Sequence, residues 1–171
     1  MNAHDIVKIG ESEVKRLCGI YKVDIPEIYC AALDEDINGK TAKNTDTGKW
    51  AVVFNQRCLN DEDSIIHTAR HEFRHIWQRV YHPEIADFWL QMTIEGQSHG
   101  DEDYYLFSAT ELDAESFANS GCKNDSPDFL TAMTAEASQR NGRRRMEGCY
   151  NWALRNRDLL TANVRLRLSR L

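Results

Sequence analysis

Residues 71–75 read His-Glu-Phe-Arg-His. Two histidines four apart stand one above the other on the same face of an α-helix. Their imidazoles can then reach one ion at the roughly 2.0–2.1 Å of a zinc–nitrogen bond. Glu72 lies about 100° round the helix from His71. From there it does not ligate comfortably, but it flanks the metal and can take a proton from a water held there. The expected chemistry is hydrolysis by water activated at one zinc ion per chain, with Glu72 as general base. Two solvated surface histidines are the alternative. Phe73 and Trp77 argue against it, because they put the histidine stripe beside a core. His67 precedes His71 by one turn. Three histidines over two turns span about 12 Å at 1.5 Å per residue, too long for one ion, so His67 is expected to flank the site.

A catalytic zinc needs a third protein ligand and an open fourth position. The segment Tyr104–Ala118 offers Glu111 and Glu115, one turn apart. One can bind the metal while the other accepts a ring N–H from a ligating histidine. Ala114, Phe117 and Ala118 allow such a helix to pack closely. Asp113 points about 200° away from Glu111. His99, in a polar stretch, competes as third ligand. Tyr104, Tyr105, His99 and His82 are the candidates for donors to an oxyanion.

Together His71-Glu-Phe-Arg-His75 and Glu111-Leu-Asp-Ala-Glu115-Ser-Phe-Ala118 resemble the zincin metallopeptidases, and within them the gluzincin pattern. They are similar to HtpX-like peptidases and closer still to the small ImmA/IrrE-type proteins. The resemblance covers roughly residues 50–120. It implies Glu111 as the ligand and Glu115 as its supporting carboxylate. It also implies that the strand Trp50–Phe54 is the edge strand against which an extended peptide substrate pairs. Two positions depart from the pattern. Arg74 stands where a small residue is common, and Glu115 stands where Asp or Asn is usual.

The elements that must position these residues follow from periodicity and punctuation. Residues 3–20 carry Ile6, Val7, Ile9, Val14, Leu17 and Cys18 at helical spacing. Residues 27–33 and 50–54 are strand-formers, expected to pair as a hairpin whose long polar tip is Asp34–Lys49. Asn60 or Asp61 should cap a helix ending before Pro83, with Ile66, Ala69, Phe73, Ile76, Trp77 and Val80 as its core stripe. Residues 84–93 read as helix, Glu95–Asp103 as a loop, and Tyr104–Ser120, Pro127–Arg140 and 147–168 as further helices. The expected fold is α+β, mainly α. Its core, residues 1–125, comprises an N-terminal helix, a small antiparallel strand pair, the His-bearing helix and the Glu-bearing helix. Residues 126–171 form a C-terminal helical extension packed on it as one compact domain.

Composition sets the outer limits. The 171 residues are 42% apolar, enough for a packed core and against disorder. The N-terminal 20 residues contain no apolar targeting core, and no apolar run nears the roughly 20 residues of a membrane span. A soluble cytoplasmic chain is expected. Cys18, Cys30, Cys58, Cys122 and Cys149 are odd in number and contain no CxxC pair, as suits reduced thiols. Net charge is −6, yet residues 139–171 hold nine Arg against Glu147 and Asp158, a balance of +7 that leaves −13 for the rest. A basic end lying back on an acidic body accounts for this. Nucleic-acid binding through Arg140, Arg143, Arg144, Arg145, Arg155 and Arg157 is disfavoured by the overall charge. The leading expectation is a zinc metallopeptidase acting on a peptide or protein. The alternative is a fold of the same kind acting as a regulatory or binding protein with little turnover.

Overall fold

The computed structural model describes residues 1–123 and 127–170. The fold is α+β and mainly helical. The chain divides into two compact units, Met1–Val80 and Tyr81–Leu171. The boundary expected at 125–126 falls outside the described residues.

The first unit opens with α1 (Ala3–Tyr21), started by Asn2, whose side chain accepts the Asp5 N–H at 2.9 Å. Ile6, Val14, Leu17 and Cys18 form its buried stripe. Three strands follow: β1 (Glu27–Ala31), β2 (Gly39–Lys43) and β3 (Trp50–Asn55). Their order is β1-β3-β2, with β1 parallel and β2 antiparallel to β3. This corrects two expectations. The first and last strands do not form a hairpin, and Trp50–Phe54 is the central strand, not an edge. The physical reason is β3 itself. Val52 and Phe54 are wholly buried, and a strand so enclosed needs ladder partners on both sides. The segment expected as a loop tip supplies one of them. It turns into β3 at Asn44–Lys49, where Asn44 O accepts the Gly48 N–H and Asn44 N–H donates to Lys49 O, both at 2.8 Å.

Helix α2 (Glu62–Tyr81) starts where Asp61 Oδ1 accepts the Ser64 N–H at 2.8 Å. Glu62 and Asp63 occupy its first turn, where negative charge complements the helix dipole. Its core face is Ile65, Ala69, Phe73, Ile76 and Trp77. Ile65 takes the place expected of Ile66, and Val80 is 44% exposed. Each fully buried large side chain contributes about 1.5–3 kcal/mol. The helix is tied to α1 by an Arg70–Glu13 ion pair at 2.7 Å and by the Tyr21 and Phe73 rings, 5.5 Å apart.

The second unit contains α3 (Pro83–Ser98), α4 (Asp103–Leu106), α5 (Ala109–Asn119), α6 (Pro127–Ser138), α7 (Glu147–Arg155) and α8 (Ala162–Leu168). Short 3-10 turns lie at 142–146 and 157–159. The stretch expected as a loop is half helical, because α3 continues through Glu95 to Ser98. The helix expected over 104–120 breaks at Phe107–Ser108, where Ser108 leaves helical geometry to cap α5. The helix expected over 147–168 is two helices around a 3-10 turn. Trp89, Met92, Phe107, Leu112, Phe117, Leu130 and Met146 fill the core. Trp89 Nε1–H donates to Thr134 Oγ1 at 2.8 Å.

The arginine-rich end pairs with carboxylates of its own unit. Asp103, buried, accepts from Arg167 at 2.7 Å and Arg143 at 3.2 Å. Arg145 reaches Glu95 at 3.4 Å, and Arg140 pairs with Glu136 and Glu147. Among the described residues, which include all five cysteines, no disulfide is formed. No helix among the described residues is long and apolar enough to cross a membrane.

Candidate metal centre

The site begins on α2. His71 and His75 are half-buried one turn apart, their Nε2 atoms 3.1 Å from each other. At 2.0–2.1 Å from a common ion, that separation subtends about 98°, within reach of tetrahedral coordination. The two rings meet edge to face, with centroids 4.8 Å apart. His75 has a second contact. Its Nδ1 lies 3.0 Å from Gln78 Oε1, and Gln78 is 2% exposed. A carbonyl oxygen only accepts, so Nδ1 is the donor.

Glu72 is buried, 6% exposed, and its carboxylate is turned to β2. Thr41 Oγ1–H donates to Glu72 Oε2 at 2.7 Å, with the Glu72 backbone oxygen 3.1 Å away. Gly39, two residues earlier, makes the approach feasible. A Cβ there would stand 2.6 Å from Thr68 Cγ2 and 3.1 Å from both Cγ and Oε1 of Glu72. Only a residue without a side chain lets the strand lie so near the carboxylate. The strand is anchored by Asn55, which is wholly buried. Asn55 Nδ2 donates to the carbonyls of Asp34 at 2.8 Å and Ile37 at 2.6 Å, and Asn55 Oδ1 accepts from the N–H groups of Leu33 and Arg57. Arg74 is fully buried and lays its guanidinium 3.8 Å over the Trp77 ring. His67 is half-buried one turn before His71.

On α5, Ser108 is the N-cap and accepts the Glu111 N–H at 3.2 Å. Ser-Ala-Thr-Glu has the spacing of a capping box, in which Glu111 would reach back to the Ser108 N–H. That N–H donates to Tyr105 O at 3.1 Å instead, so the reciprocal bond is not made. His71 and His75 on α2 and Glu111 on α5 make up a donor set of the kind that could hold a metal ion. Among the described residues His99 is outside that group. It terminates α3, with Nδ1 2.8 Å from Glu95 O, and is exposed.

No family model, curated protein or solved structure matches the chain.

The remaining candidates separate by environment. Glu115 is buried, and its Oε1 accepts the Thr161 N–H at 2.8 Å at the start of α8. Asp113 is also buried. Tyr104 is 7% exposed, and burial, with Glu95 and Asp101 nearby, pushes its phenol pKa up. Its ring fills the space above Gly96, where a side chain would collide with it. Tyr105 is 44% exposed, and His82 precedes α3. Sequence reasoning did not find Gly39, Thr41, Asn55 or Gln78. For Gln78 a signal existed, since three residues after His75 is the same helix face. For the β2 residues there was none, because a polar GKTAK stretch has no strand signature.

Proposed function

We propose that this chain is a zinc-dependent metallopeptidase, with His71, His75 and Glu111 as metal ligands and Glu72 as general base. The observation that carries the reading is the His71–His75–Glu111 donor group, the one grouping of its kind among the described residues. Two imidazoles and a carboxylate are the donor set of a catalytic zinc that keeps a fourth position open. When bound, such an ion polarises a carbonyl and lowers the pKa of a water towards 7. The chain's own contribution is proton movement. Glu72 Oε2 stays on the Thr41 hydroxyl, and Oε1 takes the proton of the attacking water and returns it to the leaving amine nitrogen. Tyr104, Tyr105 and His99 remain candidates for the donor to the developing oxyanion.

The nucleic-acid reading gains no support. Arg140, Arg143 and Arg145, three of the six arginines it needs, are engaged with carboxylates of their own unit.

Two measurements test the proposal. Mass-spectrometric metal analysis should find one zinc in the wild type and none in His71→Ala or Glu111→Ala. A quenched-fluorescent peptide library should be cut by wild type and left intact by Glu72→Gln, which keeps the ion. Cleavage by zinc-loaded Glu72→Gln would remove Glu72 from the mechanism.

A further inference from the structure

We infer that Gln78 is a positioning residue for the metal centre: its amide carbonyl holds His75 as the tautomer protonated on Nδ1 and so presents the Nε2 lone pair to the ion. The inference rests on the metal-centre reading above and deepens it. A neutral imidazole carries one N–H. With Gln78 Oε1 at 3.0 Å from Nδ1, that hydrogen is on Nδ1 and Nε2 is left as the acceptor. Nε2 is also the atom that faces His71 Nε2 across 3.1 Å. Both ends of the ring therefore point where a ligating histidine needs them. The arrangement is local: residues 75 and 78 are one turn apart on α2, so no loop has to fold to create it. Gln78 is 2% exposed, and little water competes for its carbonyl. Ligating histidines generally need such an acceptor behind them, and its loss lowers metal affinity by about 10–100-fold. Gln78 is neutral where a carboxylate is common, so it fixes the ring without adding charge beside the centre.

That difference gives a signed test on the full-length chain. Imidazole nitrogen NMR of the metal-free wild type should show His75 as the Nδ1–H tautomer. Zinc titration against a chelating dye at fixed pH should show Gln78→Met, which has no strong acceptor, about 10–100-fold weaker than wild type. Gln78→Glu, which restores an acceptor and adds charge, should bind at least as tightly as wild type. A purely structural role for Gln78 would weaken both variants and leave the tautomer unmoved. An Nε2–H tautomer in the wild type overturns the inference, and so does a Gln78→Met chain that binds zinc like wild type. If Gln78→Met does not fold, the wild-type tautomer and the Gln78→Glu affinity still decide. A wild-type chain that takes up no zinc overturns the metal centre itself, a different failure from zinc uptake that is blind to residue 78.

Discussion

Replacing Thr41 by valine keeps the shape of the side chain and deletes one hydroxyl. That hydroxyl donates to a carboxylate oxygen at 2.7 Å, and the carboxylate belongs to a residue only 6% exposed. A hydrogen bond to a charged group contributes about 1.5–3 kcal/mol. Thr41 itself is half-buried, so water can partly replace it, and the lower end of that range applies. A loss of about 1.5 kcal/mol moves a urea midpoint by roughly 0.5–1.5 M at the slopes usual for small proteins. Thr41→Ser restores the donor and should recover most of the loss. The assay is urea unfolding of the metal-free chain, followed by zinc titration and peptide cleavage. Thr41→Val should bind zinc as wild type does and cleave more slowly, because it disturbs Glu72 and leaves the histidines alone. Thr41→Val within about 0.5 kcal/mol of wild type, or Thr41→Ser no better than valine, would refute the assignment of β2 as the support of Glu72.

Gly39→Ala should be worse than Thr41→Val for cleavage, since its methyl meets Thr68 and Glu72 at 2.6 and 3.1 Å; overpacking of this kind costs about 1–3 kcal/mol, measurable by urea unfolding. Asn55→Ala removes an amide that serves four backbone groups and should cost about 2–4 kcal/mol; a loss below about 1 kcal/mol would show that water serves them as well. Hydrogen bonding from Arg16, and then from Arg70, holds the Glu13 carboxyl below its ordinary pKa against the opposing effect of burial. Its contribution is present above the unfolded value of about 4.3 and is lost as pH falls through the lower folded value, so Glu13→Gln should flatten the acid side of the stability curve. Chelation should lower the melting temperature of zinc-loaded protein, by the equivalent of about 2.7 kcal/mol if the ion had been present at a hundred times its dissociation constant. Equal melting with and without chelator would count against a bound ion.

Much of α2 was readable from the chain because its signals agree. An acidic cap, a 3.6-residue apolar period and a following proline all define one helix, and the His-Glu-x-x-His spacing then puts both histidines on one face. The one-residue error in the stripe, Ile65 for Ile66, is of a size that periodicity cannot resolve between adjacent apolar residues. The sheet was not readable in the same way. Residues 27–31 and 50–55 look like strands, but nothing local states that they run parallel, and β2 forms only because β3 needs a second partner. Ser108 shows a different limit. Its capping spacing to Glu111 was in the sequence, yet the apolar residues on either side continue at helical period and mask the break. Thr41 was invisible because a threonine in a polar stretch carries no signature until its partner is placed, whereas Gln78 was marked only by its place one turn after His75.

The dependence of Glu72 on β2 has a consequence for register. Side chains alternate faces along a strand, so a slip of one residue would replace Thr41 by Lys40 or Ala42 beneath Glu72. An ammonium there would pair with the Glu72 carboxylate, and a methyl would leave it unheld. Two bonds fix the correct alignment at the strand's entrance: the Asn55 side chain on Ile37 O and the Asn55 N–H on Asn38 O, at 2.6 and 2.9 Å. Asn55 therefore acts as an indexing pin, a residue that determines which of three neighbouring side chains the Glu72 carboxylate meets. On the proposed function, damage at this pin would give a folded chain that loads metal and fails to turn over, a phenotype easily mistaken for a lesion in Glu72 itself.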